Sequence, residues 1–280
     1  MLMAEAISRG GVLQIKFNNT TSIFPGGEVH IAVDDSFVCH VPQMIRITAH
    51  LRSPADQMSL FMLTDAIRRV CRAPICLHMP YVPYARQDRV CNPGEALAAK
   101  VFCQMINAQD YESVTIFDPH SDVVPALLDR VVVKDAAEAI DLILGRSEFA
   151  DGVTFIAPDA GAQKRVLKLA KRFGVDSVVC ADKVRDTKTG EIRGIAINGI
   201  FPAGMPALVI DDICDGGATF IALSEQVAAN KTMDGPLYLY VSHGIFSKGV
   251  GRIAEKFDHV FAGYNWTDES YFNLTTIFEE

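Results

Sequence analysis

The sequence predicts an α/β protein of mostly parallel sheets flanked by helices, divided into two tandem domains. Three observations lead there. Short β-branched runs alternate with longer amphipathic stretches, the pattern of a parallel sheet covered by helices. The runs are nearly continuous in apolar residues, as strands buried on both faces must be. At 280 residues, the chain has room for about two domains of roughly 100–200 residues each.

Residues 1–47 are β-rich, with strands predicted over Val12–Phe17 and Val29–Val33. A helix follows over Ala55–Cys71, then a strand over Ile75–Met79, a helix over Ala96–Ala108 and a strand over Ser113–Phe117. The helical pattern of Ala136–Leu144 ends at Gly145, and polar residues precede the next strand. The domain boundary is therefore expected within 145–152, giving domains 1–147 and 148–280. The second half reads as strand Val153–Ala157, helix Ala162–Phe173 and strands Val178–Ala181 and Ala207–Ile210, then helix Phe220–Ala229 and strand Leu237–Val241. No repeat recurs at periods of 20–50 residues, which excludes a solenoid.

Composition narrows the function classes. With 49% hydrophobic and 21% charged residues, the chain can bury a core and is not disordered. A net charge of −8 argues against a nucleic-acid partner, because phosphate backbones attract basic surfaces. No apolar run approaches the ~18 residues of a membrane helix, and the start lacks the basic and long apolar regions of a signal peptide. The seven cysteines include no C-x-x-C and read as reduced, mostly buried thiols of a cytoplasmic protein. None is a candidate nucleophile.

The chemistry is concentrated after the strands, where open α/β sheets bind ligands. Six polar segments are expected along one sheet edge: Tyr81–Arg89, Asp118–Ser121, Pro158–Gly161, Asp182–Arg185, Asp211–Thr219 and Ser242–Gly244. In the fifth, Gly216 and Gly217 let successive N–H groups converge on an anion at a helix start. Asp211 and Asp212 suit the hydroxyls of a vicinal diol, so the segment describes a ribose 5-phosphate site. An Asp-rich strand–helix turn with a plain N-cap is the structural alternative. Neither G-x-x-x-x-G-K-[ST] nor G-x-G-x-x-G is present. Asp118 and His120 could hold Mg²⁺ with water and phosphate ligands, although a loop histidine also serves as a cap or lies in solvent. His243 is a weaker candidate of the same kind. Tyr81–Arg89 offers arginines for phosphates and Gln and Asp for a base edge, or else a salt-bridged surface loop. Asp182–Gly194 is rich in charge, as in a solvated hairpin or a lid carrying cations over a reacting phosphate.

Together these segments resemble the ribose-phosphate pyrophosphokinase, or phosphoribosyl-pyrophosphate (PRPP) synthetase, family over nearly the whole chain and in the family's order. Tyr81–Arg89 is similar to Y-x-P-Y-A-R-Q-D-R, Asp118-Pro119-His120 to D-L-H, and Pro158–Gly161 to S-P-D-x-G-[GA]. Lys183-Val184-Arg185 falls at K-R-R, Asp211–Thr219 at D-D-x-I-D-T-A-G-T and Ser242–Gly244 at T-H-G. The resemblance implies two phosphoribosyltransferase-like domains and transfer of pyrophosphate from MgATP to the 1-hydroxyl of ribose 5-phosphate, giving PRPP and AMP. It implies ATP binding by Arg86, Gln87 and Asp88, with Phe24 and Glu28, in a stretch similar to F-x-D-G-E, at the adenine. It implies Mg²⁺ contact by His120 and Asp159, and ribose 5-phosphate binding by Asp211, Asp212, Asp215, Gly216, Gly217, Ala218 and Thr219. Lys183 and Arg185 would be the catalytic cations. It also implies a homo-oligomer whose ATP site is shared between subunits.

This sequence departs from the family pattern at several positions, Val184 in place of the middle Arg of K-R-R among them, and three of the departures bear on ligand contacts. Gly26 stands where the family has Asp, Gly216 replaces a Thr, and Ala218 replaces a Gly. The changes in the phosphate loop keep a backbone cradle feasible and remove one hydroxyl. Two other functions compete: a type I phosphoribosyltransferase consuming PRPP and a base, and a non-catalytic regulatory homologue. The first leaves Arg86-Gln87-Asp88 and His120 unexplained. Retention of Lys183 and Arg185 argues against the second.

Overall fold

The computed structural model describes residues 2–7, 19–33, 42–185, 192–230 and 232–278. It divides into two units, Met1–Asp135 and Ala136–Glu280. The predicted strand Val12–Phe17 lies outside the described residues.

The first unit contains β1 (Leu2–Ile7), β2 (Asn19–Ile23), β3 (Val29–Val33), β4 (Met44–Ala49), α1 (Pro54–Val70), β5 (Ile75–His78), α2 (Ala98–Asn107), β6 (Ser113–Phe117), α3 (Val123–Leu127) and β7 (Val131–Lys134). Its five-stranded sheet has the order β1-β4-β5-β6-β7, parallel except for β1 against β4. β2 and β3 form a separate antiparallel pair. α1 starts at a reciprocal cap: Asp56 N–H donates to Ser53 Oγ at 3.2 Å and Ser53 N–H to Asp56 Oδ2 at 2.8 Å, with Pro54 in the first turn. It buries Leu60, Leu63 and Ile67 fully, each worth about 1.5–3 kcal/mol.

The second unit contains α4 (Ala137–Leu144), β8 (Thr154–Ala157), α5 (Ala160–Phe173), β9 (Val178–Arg185), β10 (Ile192–Asn198), β11 (Ala207–Cys214), α6 (Ala218–Ala228), β12 (Leu237–Gly244), α7 (Gly251–Ala254), β13 (His259–Asn265) and β14 (Leu274–Thr276). The sheet order is β10-β9-β8-β11-β12-β13-β14, parallel except for β10 on β9. Its strands are buried as expected: every residue of β8 and β12 is buried.

Two expectations need correction. The six polar segments do not share one edge. Those after β5 and β6 belong to the first sheet and the other four to the second. Strands also run further than the apolar runs that announced them. Asp211 and Asp212 lie on β11, Ser242–Gly244 on β12 and Asp182–Arg185 on β9. The reason is pairing: β11 stays in register with β12 as far as Cys214 opposite Gly244, and ladder hydrogen bonds outweigh the weak strand preference of Asp and Gly. His243 is a core residue, 2% exposed and stacked on Tyr264, which removes it as a metal candidate.

His78, at the end of β5, makes the first unit pH-sensitive. Burial, then the positive charges of Arg46 and Lys134, lower its pKa from 6.5 to about 4. Below pH 6.5 the unfolded chain takes up a proton that the folded form refuses until about pH 4. Stability therefore falls as pH drops through that window, by up to about 3 kcal/mol. Urea unfolding between pH 7 and pH 4 should show a steeper loss for the wild type than for His78→Leu. Parallel curves would contradict this account.

Candidate active site

In the first unit, the segment after β5 turns sharply. Tyr84 takes φ 64° and Asp118, after the neighbouring strand β6, φ 37°. Such left-handed backbone is costly for residues with a Cβ and collects at functional loops. Tyr84 is held by its hydroxyl donating to Gln57 Oε1 at 3.2 Å and by its ring against Phe102. Gln87 N–H donates to Tyr84 O at 2.8 Å, and Ala99 N–H, in the first turn of α2, donates to Gln87 O at 3.2 Å. α1 and α2 therefore clamp the loop and leave Arg86 and Gln87 exposed and Asp88 half-buried. The Arg89–Asp88 ion pair at 3.8 Å is largely solvated and contributes little. Asp118 is buried and its N–H donates to Lys134 O at 2.7 Å, which presents exposed His120 beside the β5 loop. Phe24 and Glu28 sit on the exposed β2–β3 hairpin, closed by Phe24 N–H to Glu28 O at 2.8 Å.

In the second unit, β9, β8 and β11 are neighbours, so their carboxyl ends gather Lys183 and Arg185, Asp159, and the acidic pair. Asp159 caps α5: its Oδ1 accepts from Gly161 N–H at 3.0 Å and Ala162 N–H at 3.2 Å. Lys183 and Arg185 lie on β9, opposite Ile195 and Ile192 of β10. After β11, Gly217 takes φ 76° and is the N-cap of α6, with no side-chain cap on the first-turn donors. A Cβ there would stand 2.0 Å from Ile253 Cδ1, so both the turn and the approach of α7 require glycine. The uncapped N–H groups of Ala218 and Thr219 and the helix dipole form an anion cradle. Asp215 beside it accepts from Ser247 Oγ at 2.5 Å.

The acidic pair has a partner that no sequence motif announces. Arg165, on α5, places Nη1 3.4 Å from Asp211 Oδ1 and 3.4 Å from Asp212 Oδ1. Asp212 N–H donates to Asp211 Oδ1 at 2.9 Å. Burial first, then the Asp212 carboxylate, hold the Asp211 carboxyl well above the usual range, and Arg165 opposes them. Arg165 thus meets both carboxylates of the pair. Cys214, beneath the pair, has its thiol pushed up to about 12 by burial, so no thiolate is available there near neutral pH.

Comparison with known proteins places this arrangement. Residues 3–109 match the family described as the N-terminal domain of ribose phosphate pyrophosphokinase. The chain is 25% identical over 255 residues to the ribose-phosphate pyrophosphokinase of Aeropyrum pernix, covering 90% of this chain and 80% of that one. It is 29% identical over 201 residues to that of Bradyrhizobium diazoefficiens, covering 69% and 59% of the two chains. Over most of its length this chain is similar to ribose-phosphate pyrophosphokinases. The fold agrees: the phosphoribosylpyrophosphate synthetase of Mycobacterium smegmatis superposes with a TM-score of 0.77 at 20% identity, over 93% of this chain and 85% of that one. As in that pyrophosphokinase fold, both units are α/β with mostly parallel sheets. Among the described residues, no cluster of three or more His, Cys, Asp or Glu could hold a metal, and His120 and Asp159 belong to different units. No helix among them is long and apolar enough to cross a membrane.

Proposed function

We propose that this chain is a ribose-phosphate diphosphokinase, transferring the β,γ-pyrophosphoryl group of MgATP to the 1-hydroxyl of ribose 5-phosphate. The observation that carries the reading is the run from β11 into α6. There a carboxylate pair for a vicinal diol directly precedes an uncapped helix start for a phosphate. Asp211 and Asp212 accept from the ribose hydroxyls, and the Gly216–Thr219 backbone holds the 5-phosphate. Arg86, Gln87 and Asp88 hold the nucleotide. Phe24 and Glu28, on an exposed hairpin, contribute to an adenine site completed by a second copy of the chain.

The sugar's 1-hydroxyl oxygen attacks the β-phosphorus, the bond from that phosphorus to the α–β bridging oxygen breaks, AMP leaves, and the hydroxyl proton passes to solvent. Lys183 and Arg185 offset the charge that builds on the transferred group, so catalysis is chiefly positioning and electrostatic. Mg²⁺ enters with ATP and supplies charge neutralisation on its phosphates. The protein's own donors, the His120 imidazole and the Asp159 carboxylate, are too few to hold Mg²⁺ alone. Each supplies a single donor in its own unit, of the kind that would suit an ion ligated mainly by phosphate and water.

AMP release from ATP in the presence of ribose 5-phosphate tests the reading. A type I phosphoribosyltransferase would instead consume PRPP only with a base, and a regulatory homologue would do neither. No AMP from a folded, nucleotide-binding protein would refute it.

Gly26 bears on nucleotide choice. An Asp there would accept from the adenine 6-amino group and repel the 6-oxo group of guanine. No atom lies within 4 Å of a Cβ built at Gly26, so Gly26→Asp is sterically free. The wild type should accept GTP appreciably, and Gly26→Asp should raise the ATP-to-GTP ratio of kcat/KM by about tenfold or more. A wild type that rejects GTP, with a ratio unmoved by the substitution, would show that another group makes the distinction.

A further inference from the structure

The phosphate cradle lacks a side-chain donor at position 216, where the family pattern carries a Thr. Another side chain passes within van der Waals contact of that position. The Lys248 side chain crosses Gly216, with Cδ and Cε each 3.5 Å from where a Cβ on Gly216 would stand. Lys248 comes from the turn after β12, which is tied to the β11–α6 loop independently of that contact. Phe246 N–H donates to Cys214 O at 3.0 Å, and Ser247 Oγ donates to Asp215 Oδ1 at 2.5 Å. The turn is tight, with Phe246 at φ 47° and Gly249 at φ 85°, and Gly249 N–H donates to Phe246 O at 2.9 Å. The lysine is thus delivered to the cradle by a built turn. Its ammonium lies one bond beyond Cε, which itself stands beside Gly216 of the β11–α6 loop. It forms no ion pair with any described residue, and the side chain is exposed.

We propose that Lys248 is a phosphate-binding cation of this site, taking over in charge what the missing Thr hydroxyl would supply as a hydrogen bond. The inference rests on the proposed ribose 5-phosphate site and deepens it. A lysine gives a point charge rather than a fixed donor direction, and it suits a dianionic monophosphate ester already oriented by backbone N–H groups. With glycine at 216 the Lys248 stem packs on bare backbone there.

The test is calorimetric binding of ribose 5-phosphate and of unphosphorylated ribose, without ATP, at low and high salt. The expected result is that Lys248→Ala weakens ribose 5-phosphate binding by about tenfold or more and flattens its salt dependence, with ribose binding unchanged. Lys248→Arg should retain most of the affinity, and adding Gly216→Thr to Lys248→Ala should restore part of it with a flat salt dependence. Wild-type protein that binds ribose 5-phosphate, beside a Lys248→Ala variant with the same affinity and salt slope, would overturn the role of Lys248 and leave the site reading intact. Failure of the wild type to bind ribose 5-phosphate at all would overturn the site reading, and this inference with it.

Discussion

Replacing Lys183 with alanine lowers kcat by about 10²-fold or more and leaves KM for ATP and ribose 5-phosphate nearly unchanged. Lys183 lies on β9, at the edge where β8 and β11 present Asp159 and the acidic pair. The charge it meets is small in the ground state and largest as the bond from the β-phosphorus to the bridging oxygen breaks. An interaction realised only then acts on kcat. Steady-state kinetics with both substrates varied, beside a thermal melt to confirm folding, provide the check. A rise in KM with kcat intact would assign Lys183 to substrate binding instead. Arg185, two residues along the same strand, should behave alike when changed to alanine. The double variant should lose less than the product of the single losses, because residues that act on the same charge are not additive.

Removing Arg165 has the second-largest effect. Arg165→Ala leaves two carboxylates facing each other without their shared cation, and the Asp211 carboxyl, already raised by burial and Asp212, rises further. On the proposed reading, the pair accepts from the ribose hydroxyls and must be ionised to do so. Activity is therefore lost as pH falls through its upper pKa, and a raised pKa moves that acidic limb upward. The limb should shift upward, with kcat/KM for ribose 5-phosphate near pH 7 reduced on the order of 10²-fold. Arg165→Lys should recover part of the rate, since one ammonium restores charge but spans two carboxylates poorly. The pH profile of kcat/KM decides the matter. An unshifted acidic limb in Arg165→Ala would mean that Arg165 only supports the packing of α5.

The elements near the site show what was legible. α5 and the β11–α6 segment were visible as apolar periodicity, and glycines marked the turn. Asp211 and Asp212 were readable as candidate site residues but not as strand residues, because their strand character comes from pairing with β12. β4, central in the first sheet, has the pattern Met44-Ile45-Arg46-Ile47-Thr48-Ala49. Its Arg46 and Thr48 hide a strand whose apolar positions join the core only once β1 and β5 flank it. Arg165 carried no local signal at all, since an arginine on a helix otherwise rich in lysine reads as solvated surface.

The sequence by itself determined the α/β class, the family resemblance and the residue types of each binding segment. Those follow from hydrophobic period and from chemistry held within a few consecutive residues. Tertiary structure alone decided that the segments divide between two sheets, that Arg165 reaches the acidic pair from another element, and that Lys248 passes beside Gly216 from the neighbouring turn. Each of these joins groups far apart along the chain. Such contacts are set by how helices and turns pack on a finished sheet, and no local pattern encodes them.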